Sequence, residues 1–164
     1  MHSLSRSEAH LIMTEKQAFY RTLNQQAQAL LEGEPDLIAT LANLSALLNQ
    51  ELTDINWVGF YLLQGETLVL GPFQGKPACV RIPVGRGVCG TAVAEGRTQL
   101  VDDVHQFAGH IACDGASNSE IVIPLRRAGE IIGVLDIDSP IFNRFDEQDR
   151  IGLEETVQIL ESML

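Results

Sequence analysis

The sequence predicts an α+β domain, and the order of its segments is the reason. Two segments with apolar residues at helical spacing come first, and a long stretch of β-branched residues punctuated by glycine follows. One amphipathic helix then closes the chain. With 164 residues, 45% of them apolar and 20% charged, the chain is long enough to bury a sizeable core and belongs with globular rather than disordered sequences.

Residues 1–13 read as a poorly ordered leader, because Ser, His and Glu interrupt any periodic apolar pattern there. Thr14 and Gln17 then form a capping-box signature, and Phe19, Leu23, Ala27 and Leu30 recur at helical spacing until Gly33 stops the run. A second helix starts near Pro35-Asp36, with Leu37, Leu41, Leu44, Leu48 and Leu52 making one apolar stripe. From Ile55 to Leu63 the chain turns β-branched and aromatic, which predicts a central strand ending at Gly65. Strands are expected at Thr67 to Phe73 and Ala78 to Ile82, separated by Gly75 and Pro77, and a short helix at Val88 to Ala94 after Gly85-Arg86-Gly87. Thr98 to Val101 is a further strand, and Glu120 to Arg126 with Glu130 to Asp138 make a hairpin around Ala128-Gly129. Asp146 and Asp149 open the last helix, whose Leu153, Val157, Leu160 and Leu164 share a face. No repeat, linker or low-complexity segment divides residues 14–164, which read as a single domain.

Twenty-two acidic against eleven basic side chains give a net charge of -11, which repels phosphate backbones and anionic lipid, and no more than two basic residues are adjacent. Nucleic acid and membrane surfaces are therefore not the expected partners. The first thirty residues lack the basic start and apolar run of a secretory signal, and no apolar run approaches ~18 residues, so a cytoplasmic setting is expected. In that reducing compartment three cysteines are too few, and of the wrong parity, for a disulfide framework. They are buried fillers, metal ligands or redox-active groups.

A useful thiol nucleophile needs local positive potential to bring its pKa of about 8.5 toward 7. Cys89 follows Gly85-Arg86-Gly87, where free amides at a helix start would polarise a thiol; alternatively Cys89 packs beneath that helix as a small hydrophobe. Cys113 lies in a polar, glycine-containing stretch unlike a core element, which favours a functional role. Zinc, with His105 or His110 as a fourth ligand, is the competing use. The gaps of ten and twenty-four residues between cysteines lack the close pairs of structural zinc sites, so no metal is expected and both histidines read as solvated loop residues.

Carboxylates form a second constellation. Asp136 and Asp138 stand two apart on a predicted strand and so share a face, and Asp136 interrupts the apolar run Ile131 to Leu135. If that face lines a cleft with Glu120, repulsion and burial would raise one pKa and leave an acid able to donate a proton near pH 7; an unperturbed Glu is protonated only about one time in 500 there. The alternative is an edge strand with solvated acids. Trp57 and Tyr61 share one strand face with Gly59 between them, as a pocket wall or as ordinary core.

Five sets of residues together carry a resemblance: Pro72-Phe73-Gln74-Gly75; Cys79-Val80-Arg81-Ile82-Pro83 with Gly85-Arg86-Gly87-Val88-Cys89-Gly90-Thr91-Ala92; His110-Ile111-Ala112-Cys113; Ser117-Asn118-Ser119-Glu120 with Ile121-Val122-Ile123-Pro124; and Gly133-Val134-Leu135-Asp136-Ile137-Asp138-Ser139. From about Phe19 to Leu160 the chain closely resembles the free methionine-(R)-sulfoxide reductases, enzymes built on a single GAF domain. The resemblance implies a mostly antiparallel central sheet with the N- and C-terminal helices on one face and a ligand pocket on the other. It implies Cys113 as nucleophile, Cys79 as resolving cysteine and Cys89 as a third thiol with a secondary part in exchange. Trp57 and Tyr61 would wall the substrate's methyl group. Glu120, Asp136 and Asp138 would surround the sulfoxide and amino group, with Glu120 or Asp138 donating the proton.

The implied reaction converts free L-methionine-(R)-S-oxide to L-methionine through a sulfenic acid and an intramolecular disulfide. A thioredoxin-like protein would serve as reductant, no cofactor would be required, and the enzyme would be a homodimer. The Asp114 to Ser119 loop is the expected holder of the substrate carboxylate through free backbone donors. The competing class is a GAF sensory module that binds a small molecule without transforming it; such a module is usually joined to an output domain, for which 164 residues leave no room.

Overall fold

Residues 13–111 and 115–164 are described by the computed structural model. Of the expected leader only Met13 falls within them, exposed and outside any helix, and Cys113 lies outside the described residues.

Helix α1 spans Glu15–Leu31 and begins at the predicted capping box: Gln17 N donates to Thr14 Oγ1 at 3.1 Å, and Thr14 N donates to Gln17 Oε1 at 2.9 Å. Its buried face is Tyr20, Leu23, Asn24, Ala27 and Leu31. Two expected members are therefore corrected. Leu30 is 42% exposed and Phe19 only partly buried, because the stripe at 3.6 residues per turn centres one position further along, on Tyr20 and Leu31. Helix α2 (Leu37–Glu51) is capped by Asp36, which accepts from Ala39 N at 2.9 Å, and buries Leu41, Leu44 and Leu48 as predicted.

Six strands form one sheet: β1 (Trp57–Gln64), β2 (Thr67–Gly75), β3 (Arg81–Pro83), β4 (Gln99–Val101), β5 (Ser119–Arg127) and β6 (Glu130–Ser139). Their spatial order is β3-β2-β1-β6-β5-β4, and every neighbouring pair is antiparallel. The strand expected from Ala78 shortens to Arg81–Pro83, because residues 77–80 cross irregularly over the aromatic side chains of β1. A 3₁₀ turn at Val104–Gln106 appears where no element was predicted.

Alternation divides the sheet's side chains between two cores. Val58, Phe60, Ile121, Ile123, Leu125, Leu135 and Ile137 meet α1, α2 and the last helix, α4 (Glu147–Glu161). On the other face Trp57, Tyr61, Val122 and Val134 meet Val88, Cys89 and Ala92 of α3 (Gly87–Glu95), with Leu68 and Ile82. Terminal helices on one face and a pocket-bearing face opposite are the GAF-like arrangement that the sequence suggested.

Helices α1 and α4 pack closely through Gly152, where a Cβ would lie 2.1 Å from the Tyr20 ring. Around that contact Tyr20 Oη donates to Asp149 Oδ1 at 2.6 Å, and Asn24 Nδ2 donates to the Gly152 carbonyl at 3.1 Å. Gly152→Ala should therefore push the helices apart and cost about 1–3 kcal/mol, read as a lower urea midpoint with unchanged m-value.

Candidate active site

The site grows from the register of three strands. Residues directly opposite in an antiparallel pair share a face. Trp57 faces Asp138, Gly59 faces Asp136 and Tyr61 faces Val134 across β1 and β6, while Glu120 faces Asp138 and Val122 faces Asp136 across β5 and β6. The two aromatic residues and the three acids singled out in the sequence thus stand on one face. Strand β6 lies inside the sheet, so the solvated edge-strand alternative is excluded. Glu120 and Asp136 are 8% and 5% exposed, and Asp138 is half-buried.

Gly59 explains how the aromatic wall closes. A Cβ there would sit 2.2 Å from Phe73 Cβ, so only glycine lets β2 approach, and a register shift between Gly59 and Tyr61 follows. Phe73 then stacks on Trp57 with centroids 5.2 Å apart, and Trp57 stacks on Tyr61 at 5.9 Å. The rings' polar tips also have partners. Trp57 Nε1 donates to the Lys76 carbonyl at 3.2 Å, and Tyr61 Oη donates to the Cys79 carbonyl at 2.9 Å. Cys79 itself is half-buried and disulfide-bonded, whereas Cys89 is a free thiol.

Helix α3 covers the acids from above. Its first residue, Gly87, has φ +62° and donates its N–H to the Gly109 carbonyl at 3.1 Å, and Ile111 packs against it. The helix start is thereby tied to the segment that carries His110. Cys89 points down from the first turn, and its sulfur lies with oxygens of Glu120 and Asp136 in a group whose atoms are all within 4.8 Å of one another. Packing beneath the helix is therefore what the structure gives. Burial, reinforced by the charges of Asp136, Glu120 and Asp138, pushes the Cys89 thiol well up, which outweighs polarisation by the helix start. In the native protein Cys89 should resist alkylation at pH 7 and react at an ordinary rate only after unfolding, a contrast that mass spectrometry of iodoacetamide-treated samples reads directly.

The same environment acts on the carboxyls. Burial raises Glu120 well above the usual carboxylate range, and repulsion from Asp136 and Asp138 adds to it. Burial raises Asp136 too, although hydrogen bonding with Glu120, Asp138 and Cys89 pulls the other way. Among the described residues Asp136 Oδ1 is buried without a hydrogen-bond partner of its own, an arrangement that a proton on the neighbouring Glu120 carboxyl would relieve. The two buried carboxyls lie close enough to titrate as a group, and both are pushed upward by burial.

Among the described residues, the group whose donor atoms lie close enough for a metal ion is Cys89, Glu120 and Asp136, without either histidine weighed from the sequence. His105 Nδ1 lies 2.9 Å from Asp103 Oδ1, away from this group. A cation would have to displace the proton of a thiol that its surroundings keep protonated.

Trp57, Tyr61, Cys89, Glu120, Asp136 and Asp138 line one cavity of about 50 Å³. His110, Ile111 and Ser117 line it as well: the sequence offered His110 as a zinc ligand or solvated loop residue and Ser117 as part of the carboxylate-holding loop, and pointed to neither Ile111 nor His110 as cavity lining. His110 is half-buried rather than solvated, and burial followed by the nearby His105 lowers its pKa. In the loop expected to offer free amides, Asn118 N donates to the Ser139 carbonyl at 2.8 Å and Ser117 lines the cavity, its hydroxyl accepting from Asn56 Nδ2 at 3.1 Å.

The GAF domain family matches residues 36–163. The free methionine-R-sulfoxide reductase of Escherichia coli K12 is 64% identical over 149 residues, covering 91% of this chain and 90% of that protein. Among solved structures, the fRMsr of Staphylococcus aureus in complex with substrate superposes with a TM-score of 0.85 at 61% identity, covering 88% of this chain and 95% of the other. The free methionine-R-sulfoxide reductase of Neisseria meningitidis in complex with its substrate does so with a TM-score of 0.88 at 45% identity, covering 99% and 95%.

Proposed function

We propose, because this chain belongs to the free methionine-(R)-sulfoxide reductase family of single-GAF-domain enzymes, that it reduces free L-methionine-(R)-S-oxide to L-methionine by thiol chemistry. The observation that carries the reading is the pairing of an aromatic wall with a buried acid cluster over one cavity, where burial raises Glu120. A sulfoxide needs both a soft nucleophile at sulfur and a proton for its departing oxygen.

In this reading the Cys113 thiolate attacks the sulfoxide sulfur while Glu120, or Asp138 beside it, protonates the oxygen. The protonated oxygen then passes from the methionine sulfur to the Cys113 sulfur as the S–O bond and the newly formed S–S bond break, so methionine leaves reduced and Cys113 is left oxidised as a sulfenic acid. The Cys79 thiol displaces that oxygen as water and forms a disulfide. A thioredoxin-like dithiol then reduces the disulfide by exchange and is itself oxidised. The disulfide-bonded state of Cys79 supports the resolving role. Cys89, kept protonated, fits a donor to Asp136 better than a first nucleophile, with secondary exchange left to the unfolding of its cover.

Trp57 and Tyr61 receive the methyl group, while the acids also attract the ammonium. Enclosure by α3 and the segment around Ile111 excludes a substrate extended by peptide bonds. A cytoplasmic setting and a homodimer belong to the same reading; among the described residues no helix is long and apolar enough to cross a membrane.

The test offers both sulfoxide diastereomers, free and peptide-bound, with a thiol reductant, and measures methionine formation. Selective turnover of the free (R)-sulfoxide is expected. Inactivity toward all four with retained ligand binding would instead identify a sensory module.

A further inference from the structure

We infer that Tyr61 is a positioning residue for Cys79, acting through its hydroxyl as well as through the ring that walls the pocket, with Trp57 in a supporting part. The inference rests on the reading of Cys79 as the resolving thiol. After β2 ends at Gly75, where a Cβ would lie 2.5 Å from Trp57 Cδ1, the chain crosses the aromatic face without regular structure until β3. Three hydrogen bonds fasten this crossing. Trp57 Nε1 holds the Lys76 carbonyl at 3.2 Å, Tyr61 Oη holds the Cys79 carbonyl at 2.9 Å, and Leu70 N holds the Val80 carbonyl at 2.9 Å.

The middle anchor falls on the cysteine itself. Tyr61 is 2% exposed and its ring is fixed against Trp57, so its hydroxyl is aimed by packing rather than by chance. Burial also pushes its ionisation upward, which keeps the donor proton in place across the working pH range. A thiol that must capture a nearby sulfenic acid gains from a backbone held in one place, because ordering it beforehand raises its effective concentration. The ring that contacts substrate and the carbonyl that locates the resolving thiol are thus joined by one side chain.

The step concerned is condensation of the Cys113 sulfenic acid with the Cys79 thiol to give disulfide and water. Losing one hydrogen bond of ordinary strength would slow it about three- to tenfold. Tyr61→Phe keeps the ring and removes only the anchor. After a single turnover with dimedone present, Tyr61→Phe should accumulate several-fold more trapped sulfenic acid than the unaltered protein. Cys79→Ser sets the ceiling, and adding Tyr61→Phe to it should raise trapping no further.

A second measurement needs no reductase activity: equilibration of the disulfide with glutathione, two molecules of which yield the dithiol and glutathione disulfide. Tyr61→Phe should shift this balance about three- to tenfold toward the dithiol, and Trp57→Phe should shift it in the same direction by less. An unshifted glutathione balance in Tyr61→Phe would overturn the inference, as would unchanged trapping alongside slower methionine release. Failure of the unaltered protein to release methionine would instead overturn the proposed activity and leave the glutathione test standing.

Discussion

Cys113→Ser should lower methionine release from the free (R)-sulfoxide by at least about three orders of magnitude, with substrate still bound. A serine hydroxyl is a far weaker nucleophile than a thiolate near neutral pH, and it cannot hold oxygen as a reversible sulfenic acid. The pocket is built by β1, β5, β6 and α3, so this change leaves its aromatic wall and acids in place. Calorimetric titration beside a methionine assay separates the two effects. Activity within tenfold of the unaltered protein would place the nucleophile elsewhere, and Cys79 would be the next thiol to test.

Glu120→Gln should reduce kcat by about 10²- to 10³-fold, the usual range for a positioned proton donor. It should also change the shape of the pH profile. Because burial and the flanking aspartates raise Glu120, the unaltered enzyme loses its donor, and its rate, as pH climbs through that raised value. In Glu120→Gln this falling limb should disappear or move to the remaining acid pair. Asp138→Asn decides between the two candidate donors, since the variant that keeps the limb is not the donor.

Stability must follow the same group with a definite sign. Glu120 holds its proton more tightly folded than unfolded, so its contribution is full below the ordinary value of 4.5 and is lost as pH rises through the folded value. Urea midpoints measured from pH 5 to 8 should therefore decline with a component that Glu120→Gln removes. One proton released accounts for a slope of about 1.4 kcal/mol per pH unit.

Structure is legible in the sequence where one side chain meets a backbone group nearby. The Thr14–Gln17 box and the Asp36 cap need only a few consecutive residues, and both form as written. The shared face of Asp136 and Asp138 follows from strand pleating alone, and the hairpin around Ala128-Gly129 was enough to suggest Glu120 as their neighbour. Long-range register was not legible. Phe73 joins the wall because a shift next to Gly59 brings it over Trp57, and nothing in the order of residues announces that shift. Cys89 meets the acids because α3 packs across β5 and β6, a long-range contact that no local pattern encodes. The Tyr61 contact falls on a carbonyl of Cys79, and a backbone acceptor leaves no mark in a residue pattern.

The irregular stretch before β3 departs from its sequence pattern for a related reason. Ala78 to Ile82 has strand-like composition, yet tertiary anchoring by two ring tips overrides that preference. The resemblance to a reductase family supplied what spacing left open, namely which sulfur attacks and which resolves.

The most direct test is a single-turnover reaction without external reductant, in which fully reduced protein meets an excess of free L-methionine-(R)-S-oxide and both methionine and remaining thiols are counted. One methionine should be released and two thiols lost per chain, with Cys89 still free. Methionine formed without thiol loss, or thiol loss without methionine, would contradict the proposed mechanism.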